Sequence, residues 1–192
     1  GRFILMAELG DFPEREVEPV KDLVIGFWSD ESEELEVRRR ALEAISNSSH
    51  EVVEEAIEEA YNSEEPLLRV SSLFAMGRSC DEQWEEIVLK ELGSPDPELR
   101  YEAARAAGEL SLTNATAQLS RLALGNDREI KEAAIWSLGE IGGREVLRVL
   151  TALAGDAQDA DDPELLEVIE DAIAAASLAG GDLPFLPDVR NN

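Results

Sequence analysis

A beat of 31 residues constrains this chain more than any other feature. The cations Arg38, Arg69, Arg100 and Lys131 stand 31 residues apart each time, and four further columns keep step with them. One residue earlier sit Val37, Leu68, Leu99 and Ile130; four residues earlier sit Glu34, Glu65, Asp96 and Asp127. Six residues later come Ala44, Ala75, Ala106 and Ser137, then two further on Ser46, Gly77, Gly108 and Gly139. A fixed period of this length marks an array in which each repeat is one supersecondary motif.

The spacing inside each repeat is helical. Leu68, Ser72, Ala75 and Met76 recur at i, i+4, i+7 and i+8, which places them on one buried face. Small residues in that face let a neighbouring helix come close. Glycine at 77, 108 and 139 is expected to end the helix, where a left-handed cap needs no Cβ. Pro66, Pro97 and Pro163 fall in the first helical turn, where a missing N–H costs little, and the acid before each suits a cap. A second helix of about 11 residues, roughly 17 Å long, follows in each repeat. Its buried positions read Val53/Ala56/Ile57/Ala60, Trp84/Ile87/Val88, Ala115/Leu119/Leu122 and Val146/Val149/Leu150/Leu153. Neither helix buries its apolar side alone, so stacking the pairs makes one continuous core.

These readings predict an all-α fold, a right-handed α-solenoid of antiparallel helix pairs with about five to six repeats. A single repeat domain covers 1–179. It comprises a partial first repeat at 1–29, repeats at 34–62, 65–93, 96–124 and 127–155, and a final helix at 163–179. In the partial repeat, 2–9 and 15–28 read as a helix pair, with Val20, Leu23, Val24 and Phe27 in the buried column. Gly1 in place of Met, with most of a first helix missing, suggests a piece of a longer array. Before 163 the segment AGDAQDADD reads as a lengthened loop, and Leu166 takes the place of the cation. Residues 180–192, with two Gly and two Pro, read as a tail or linker.

Composition narrows the function. Forty-three acids against 17 Lys plus Arg give a net charge of −26. Nucleic-acid affinity rests on cations that displace phosphate counterions, so DNA or RNA is a poor partner. No apolar run reaches the roughly 20 residues that span a bilayer. One cysteine, Cys80, gives no intramolecular disulfide, in keeping with a reducing, cytoplasmic setting.

Asp96-Pro97-Glu98-Leu99-Arg100 with Ala103, Ala106 and Gly108, and Ile130-Lys131 through Gly142, resemble the bacterial HEAT-like repeats first described in phycobilisome bilin lyases. The resemblance covers roughly residues 1–179. It implies a solenoid and, for most members, a scaffold role; it says little about a specific function. Two catalytic relatives fail against these residues. Deoxyhypusine hydroxylase uses several His-Glu dipeptides to hold two irons, whereas this chain has only His50-Glu51. The DNA glycosylases of this fold need a cationic groove. For the bilin lyases, no residue pattern here places a tetrapyrrole.

Other chemistry-bearing residues have plain structural readings. The acid and cation columns are expected to pair as a ladder along the stack. A lone His50 at a helix start lacks the orienting acid and pocket of general acid–base work. Cys80 lies among acids rather than the cations that activate a thiol. Asp156, Asp159, Asp161 and Asp162 lack the alternation, central glycine and bidentate Glu of a calcium loop. No catalytic, cofactor-binding or metal-binding residue is therefore assigned.

Two surfaces remain. Val70, Phe74, Tyr101 and Trp136 are expected to form an apolar patch on the convex side, free for a partner or covered by a neighbouring subunit or by Phe185 and Leu186 of the tail. The exposed face of the second helices drifts from acidic to mildly basic. Glu54, Glu55, Glu58, Glu59, Glu85 and Glu86 mark one end, and Lys90, Arg121 and Arg148 the other. The expected function is a non-catalytic scaffold, monomeric or weakly oligomeric, that binds a protein or peptide, basic in character, along this concave face. A bilin lyase-like subunit and a spacer in a longer protein are the alternatives.

Overall fold

The computed structural model of the chain describes residues 20–48 and 51–179. The helix expected at 2–9, His50 and the tail at 180–192 lie outside these residues. Among the described residues the fold is all-α, with ten α-helices and two short 3-10 turns. The chain divides into two compact units between Leu110 and Ser111.

The first unit holds α1 (Lys21–Ser29), α2 (Leu35–Ile45), α3 (Glu51–Tyr61), α4 (Pro66–Arg78), α5 (Glu85–Glu91) and α6 (Pro97–Glu109). The leading helices of successive repeats stack directly, α4 between α2 and α6. Each trailing helix packs on the next leading one: α1 on α2, α3 on α4, α5 on α6. The second unit repeats the scheme with α7 (Thr116–Ala123), α8 (Arg128–Ile141), α9 (Arg144–Asp159) and α10 (Pro163–Ala179). There α8 packs on α10, α7 on α8 and α9 on α10.

The core follows the predicted columns. Leu68, Leu99 and Ile130 are buried, and so are Ala44, Ala75, Ala106 and Ser137. The small column is what lets leading helices approach. Pro66 and Pro97 open α4 and α6 in the first turn, and Pro163 is the first residue of α10. Among the trailing helices, α5 and α7 are shorter than expected, at 7 and 8 residues, because a 3-10 turn takes the first three positions of each. Ile87, Leu122 and Val149 are only half-buried, while Val88, Leu119 and Leu150 are fully enclosed.

Four expectations are corrected. The glycine column does not end helices: Gly77, Gly108 and Gly139 lie inside α4, α6 and α8 and are buried there. A Cβ on Gly77 would stand 2.9 Å from the Ala106 Cα, and one on Gly139 would stand 3.0 Å from the Ala172 Cα. These glycines serve close packing of one leading helix on the next. The left-handed position comes three residues later, in another 31-residue column: Cys80 (φ 53°), Ser111 (φ 52°) and Gly142 (φ 67°). The first two carry a Cβ in a region that disfavours it.

The lengthened loop before 163 is mostly helix. The extra residues continue α9 to Asp159, leaving a turn at 160–162 with Asp161 at φ 56°. Asp156 and Asp159 are thus helical surface acids, while Asp162 caps α10 by accepting from the Leu165 N–H at 3.0 Å. In α1 the buried face is Lys21, Val24 and Trp28; Leu23 is 59% exposed and Val20 and Phe27 are half-buried. Trp28 is held in that face by Arg38 of α2, which donates to the Trp28 carbonyl at 3.0 Å and covers its ring at 5.1 Å.

The ladder, too, takes a different form. The two aspartates of the column cap their own helices: Asp96 accepts from Glu98 N at 2.9 Å and Asp127 from Ile130 N at 3.2 Å, while Glu34 and Glu65 make no such side-chain bond. The cations reach back to the preceding segment instead. Arg100 donates to the carbonyls of Ser94 (2.8 Å) and Pro95 (3.0 Å), and Arg69 lies 5.9 Å from the centre of the Tyr61 ring. A guanidinium offers several donors, and at Arg100 they meet the loop carbonyls that lead into its helix.

Candidate functional site

On the leading helices of the first unit, three acids, Glu36, Glu43 and Glu109, are paired with arginines of their own helix. Glu36 pairs with Arg39 (2.8 Å) and Arg40 (3.2 Å), and Arg40 with Glu43 (2.6 Å), all within α2. Glu43 is buried and also accepts from the Ser71 hydroxyl of α4 at 2.6 Å, while Arg39 donates to that hydroxyl at 3.0 Å. Arg105 faces Glu109 at 3.6 Å on α6. Such opposite-charge pairs at i,i+3 and i,i+4 support their helices by a few tenths of a kcal/mol each.

The acids of α3 are arranged the other way. Glu54, Glu55, Glu58 and Glu59 are all exposed. Glu54 and Glu58, like Glu55 and Glu59, are like-charge pairs at i,i+4, a spacing that costs a helix about as much as an opposite pair contributes. Glu58 and Glu59 also stand in the last turn, at the negative end of the helix dipole, and no basic residue shares that turn. Among the described residues the nearest cation to these four is Arg38, 3.9 Å from Glu59. On α5, Glu86 is exposed and Glu85 half-buried.

The C-terminal ends of α3 and α5 are tied by a cluster that the periodicity did not mark. The Tyr61 hydroxyl donates to Glu91 Oε1 at 2.7 Å and accepts from Lys90 Nζ at 2.7 Å. Lys90 also pairs with Glu91 at 3.2 Å and lies 5.3 Å from the ring centre. Burial pushes the Glu91 carboxyl up, but its bonds from Tyr61 and Lys90 outweigh that and hold it below its ordinary value. Burial and the Glu91 carboxylate push the Tyr61 hydroxyl up. Lys90 stays exposed while it makes these bonds. The 31-residue partners of Tyr61 and Glu91 are Leu92 and Leu122, so no column signalled the pair.

Arg121 and Arg148 are exposed on α7 and α9 of the second unit. Of the residues expected in a convex apolar patch, Val70 is corrected: it is not exposed. Val70 is buried, 8% exposed, on a helix that packs against both α2 and α6. Phe74 and Tyr101 are half-buried. Trp136, 36% exposed, belongs to the second unit.

Glu102 on α6 has the most perturbed carboxyl described. Burial, with Glu43 and Glu109 as like charges, raises it from 4.5 to about 7 against the opposing pull of Arg105 and Arg39. No group of three or more His, Cys, Asp or Glu that would hold a metal is present among the described residues. Nor is any described helix long and apolar enough to cross a membrane.

Stacked pairs, a small-residue seam and caps in register define a helical-repeat protein. Residues 85–169 match the family of HEAT repeats, so the helix pairs of that stretch are of the HEAT type. No curated protein matches the sequence. Among solved structures, the chain is similar to an engineered protein with a TM-score of 0.61 at 17% identity, over 91% of this chain and 88% of that one. It is also similar to a designed armadillo repeat protein in complex with the peptide (KR)4, with a TM-score of 0.59 at 16% identity, over 91% of each chain. A further designed armadillo repeat protein gives a TM-score of 0.56 at 15% identity, again over 91% of each chain. At these identities the likeness is one of fold.

Proposed function

We propose that the chain is a non-catalytic interaction scaffold that binds a cationic stretch of polypeptide against the exposed acids of α3 and α5. The observation that carries this reading is the contrast between helices. Glu36 and Glu43 of α2 and Glu109 of α6 are paired with arginines at helical spacing, whereas α3 keeps two like-charge pairs and sets Glu58 and Glu59 at its negative end. Residues that raise the energy of their own helix are relieved by a ligand of opposite charge, and complementary charge favours both encounter and register. A neighbour of the same fold is seen with a peptide of alternating lysine and arginine, which supports the class of ligand. Glu54, Glu55, Glu58, Glu59 and Glu86 are the contacts of this reading, with Glu85 at its edge. Arg121 and Arg148 are exposed in the second unit and are proposed, by themselves, as contacts for acidic groups.

A labelled (Lys-Arg)4 peptide, followed by fluorescence anisotropy, tests it. Reversing Glu55, Glu58 and Glu86 to Lys should lower affinity at least tenfold, about 1.4 kcal/mol. Reversing three exposed acids elsewhere, Glu129, Glu140 and Glu167, changes the net charge equally and should lower affinity far less. Equal losses from the two triple variants would mean that the peptide senses only the overall −26, and the site would be withdrawn.

A further inference from the structure

The leading helices share a column that lies four residues before their small-residue seam. It reads Leu42, Leu73, Ala104 and Ile135, each 0% exposed. Four residues on, the seam itself reads Ser46, Gly77, Gly108 and Gly139, all buried. The direction of this face is known from its glycines: Gly77 opens onto Ala106 of the next leading helix, and Gly139 onto Ala172. It is the face on which the following leading helix sits.

In α10 the register advances by 35 residues, the period plus the four that extend α9. Two anchors fix it: Asp162 caps α10 as Asp127 caps α8, and buried Leu165 answers buried Ile130. With this register Ile169 and Ala172 answer Ala134 and Ser137 and are buried against the preceding helices. The column of Ile135 falls on Glu170, and that of Gly139 on Ala174; both are exposed. Glu167 and Asp171 flank them and are exposed as well.

We infer that α10 is a closing helix: it keeps the face that receives α8 and replaces the face that would receive another leading helix with a charged one. A carboxylate where a leucine or isoleucine should be enclosed would have to be desolvated without a partner, which costs several kcal/mol. A repeat stack needs such a polar outer face to stay soluble at its end. Neither a further helix pair nor the leading helix of a second copy docks on this side, which leaves the lateral faces of the helices for partners.

The test uses the full chain with Cys80, an exposed free thiol, as the internal standard. In a Cys80→Ser background, Glu170→Cys and Ala174→Cys are introduced singly and their labelling by a thiol reagent is timed. Both should react at a rate near that of wild-type Cys80, independent of protein concentration, while a cysteine at Ile135 should react only on unfolding. Protection of both positions by more than about 100-fold would show a covered face and overturn the inference. Protection that grows with concentration would overturn it too, by showing self-stacking. Far-UV circular dichroism checks each variant, and the two positions report independently should one disturb α10.

Discussion

Substituting Glu102 by Gln gives the sharpest check on the polar seam of α6. Free in the unfolded chain, this carboxyl titrates near 4.5; in the fold it titrates near 7 because burial and the charges of Glu43 and Glu109 disfavour its ionised form. Below about pH 4.5 both states are protonated and Glu102 makes no pH-dependent contribution. Between that value and about 7 the folded chain holds a proton that the unfolded chain has released, so folding becomes less favourable as pH rises. Above 7 the full penalty is reached. At about 1.4 kcal/mol per pH unit, the gap from 4.5 to about 7 sets this penalty on the order of 3 kcal/mol. Water reaching a half-buried carboxyl trims it towards 2 kcal/mol. Gln keeps the shape without the charge, so Glu102→Gln should gain stability over wild type as pH rises. Urea unfolding by circular dichroism at steps from pH 5.5 to 8.5 measures this difference, in which the titration of the other 42 acids cancels. A stability difference that stays flat across that range would refute the reasoning. So would one that falls with pH, since it would mean that Glu102 is stabilised as a carboxylate by Arg105.

Two further substitutions separate packing from propensity. Gly77→Ala should destabilise by about 1–3 kcal/mol in thermal or urea unfolding, because its Cβ would meet the Ala106 Cα at 2.9 Å and overpack the α4–α6 seam. Gly26→Ala in α1, where nothing lies within 4 Å, should instead stabilise by about 0.5–1 kcal/mol through helix propensity alone. Ser111→Gly should raise the melting temperature, since a left-handed φ of 52° disfavours any Cβ by about 1–2 kcal/mol. A fall in melting temperature on that change would place the strain elsewhere.

The period, the helix starts and the buried columns were legible in the sequence because they depend on local geometry: a fixed count of residues returns to the same face of the same kind of helix. Asp96, Asp127 and the prolines at helix starts act within one turn, so their roles could be read without a partner. What the glycine column does could not. A glycine near a helix end looks like a cap, and only the approach of Ala106 to Gly77, and of Ala172 to Gly139, shows that it is a contact surface. The four extra residues before 163 are rich in Asp and Ala and read equally as loop or helix; packing of α9 on α10 decided for helix.

The candidate surface divides in the same way. Sequence determined that the acids of α3 share an exposed side, since alternation with Val53, Ala56, Ile57 and Ala60 leaves them nowhere else to point. It did not determine which charges remain available. Tyr61, Glu91 and Lys90 come from different repeats and meet only in three dimensions, and that meeting engages the exposed Lys90 ammonium with Tyr61 and Glu91. Val70 likewise looked available until α4 was placed between two leading helices. Helical periodicity tells a residue's side; which neighbour occupies that side depends on distance between segments far apart in the chain, and that is a property of the tertiary structure alone.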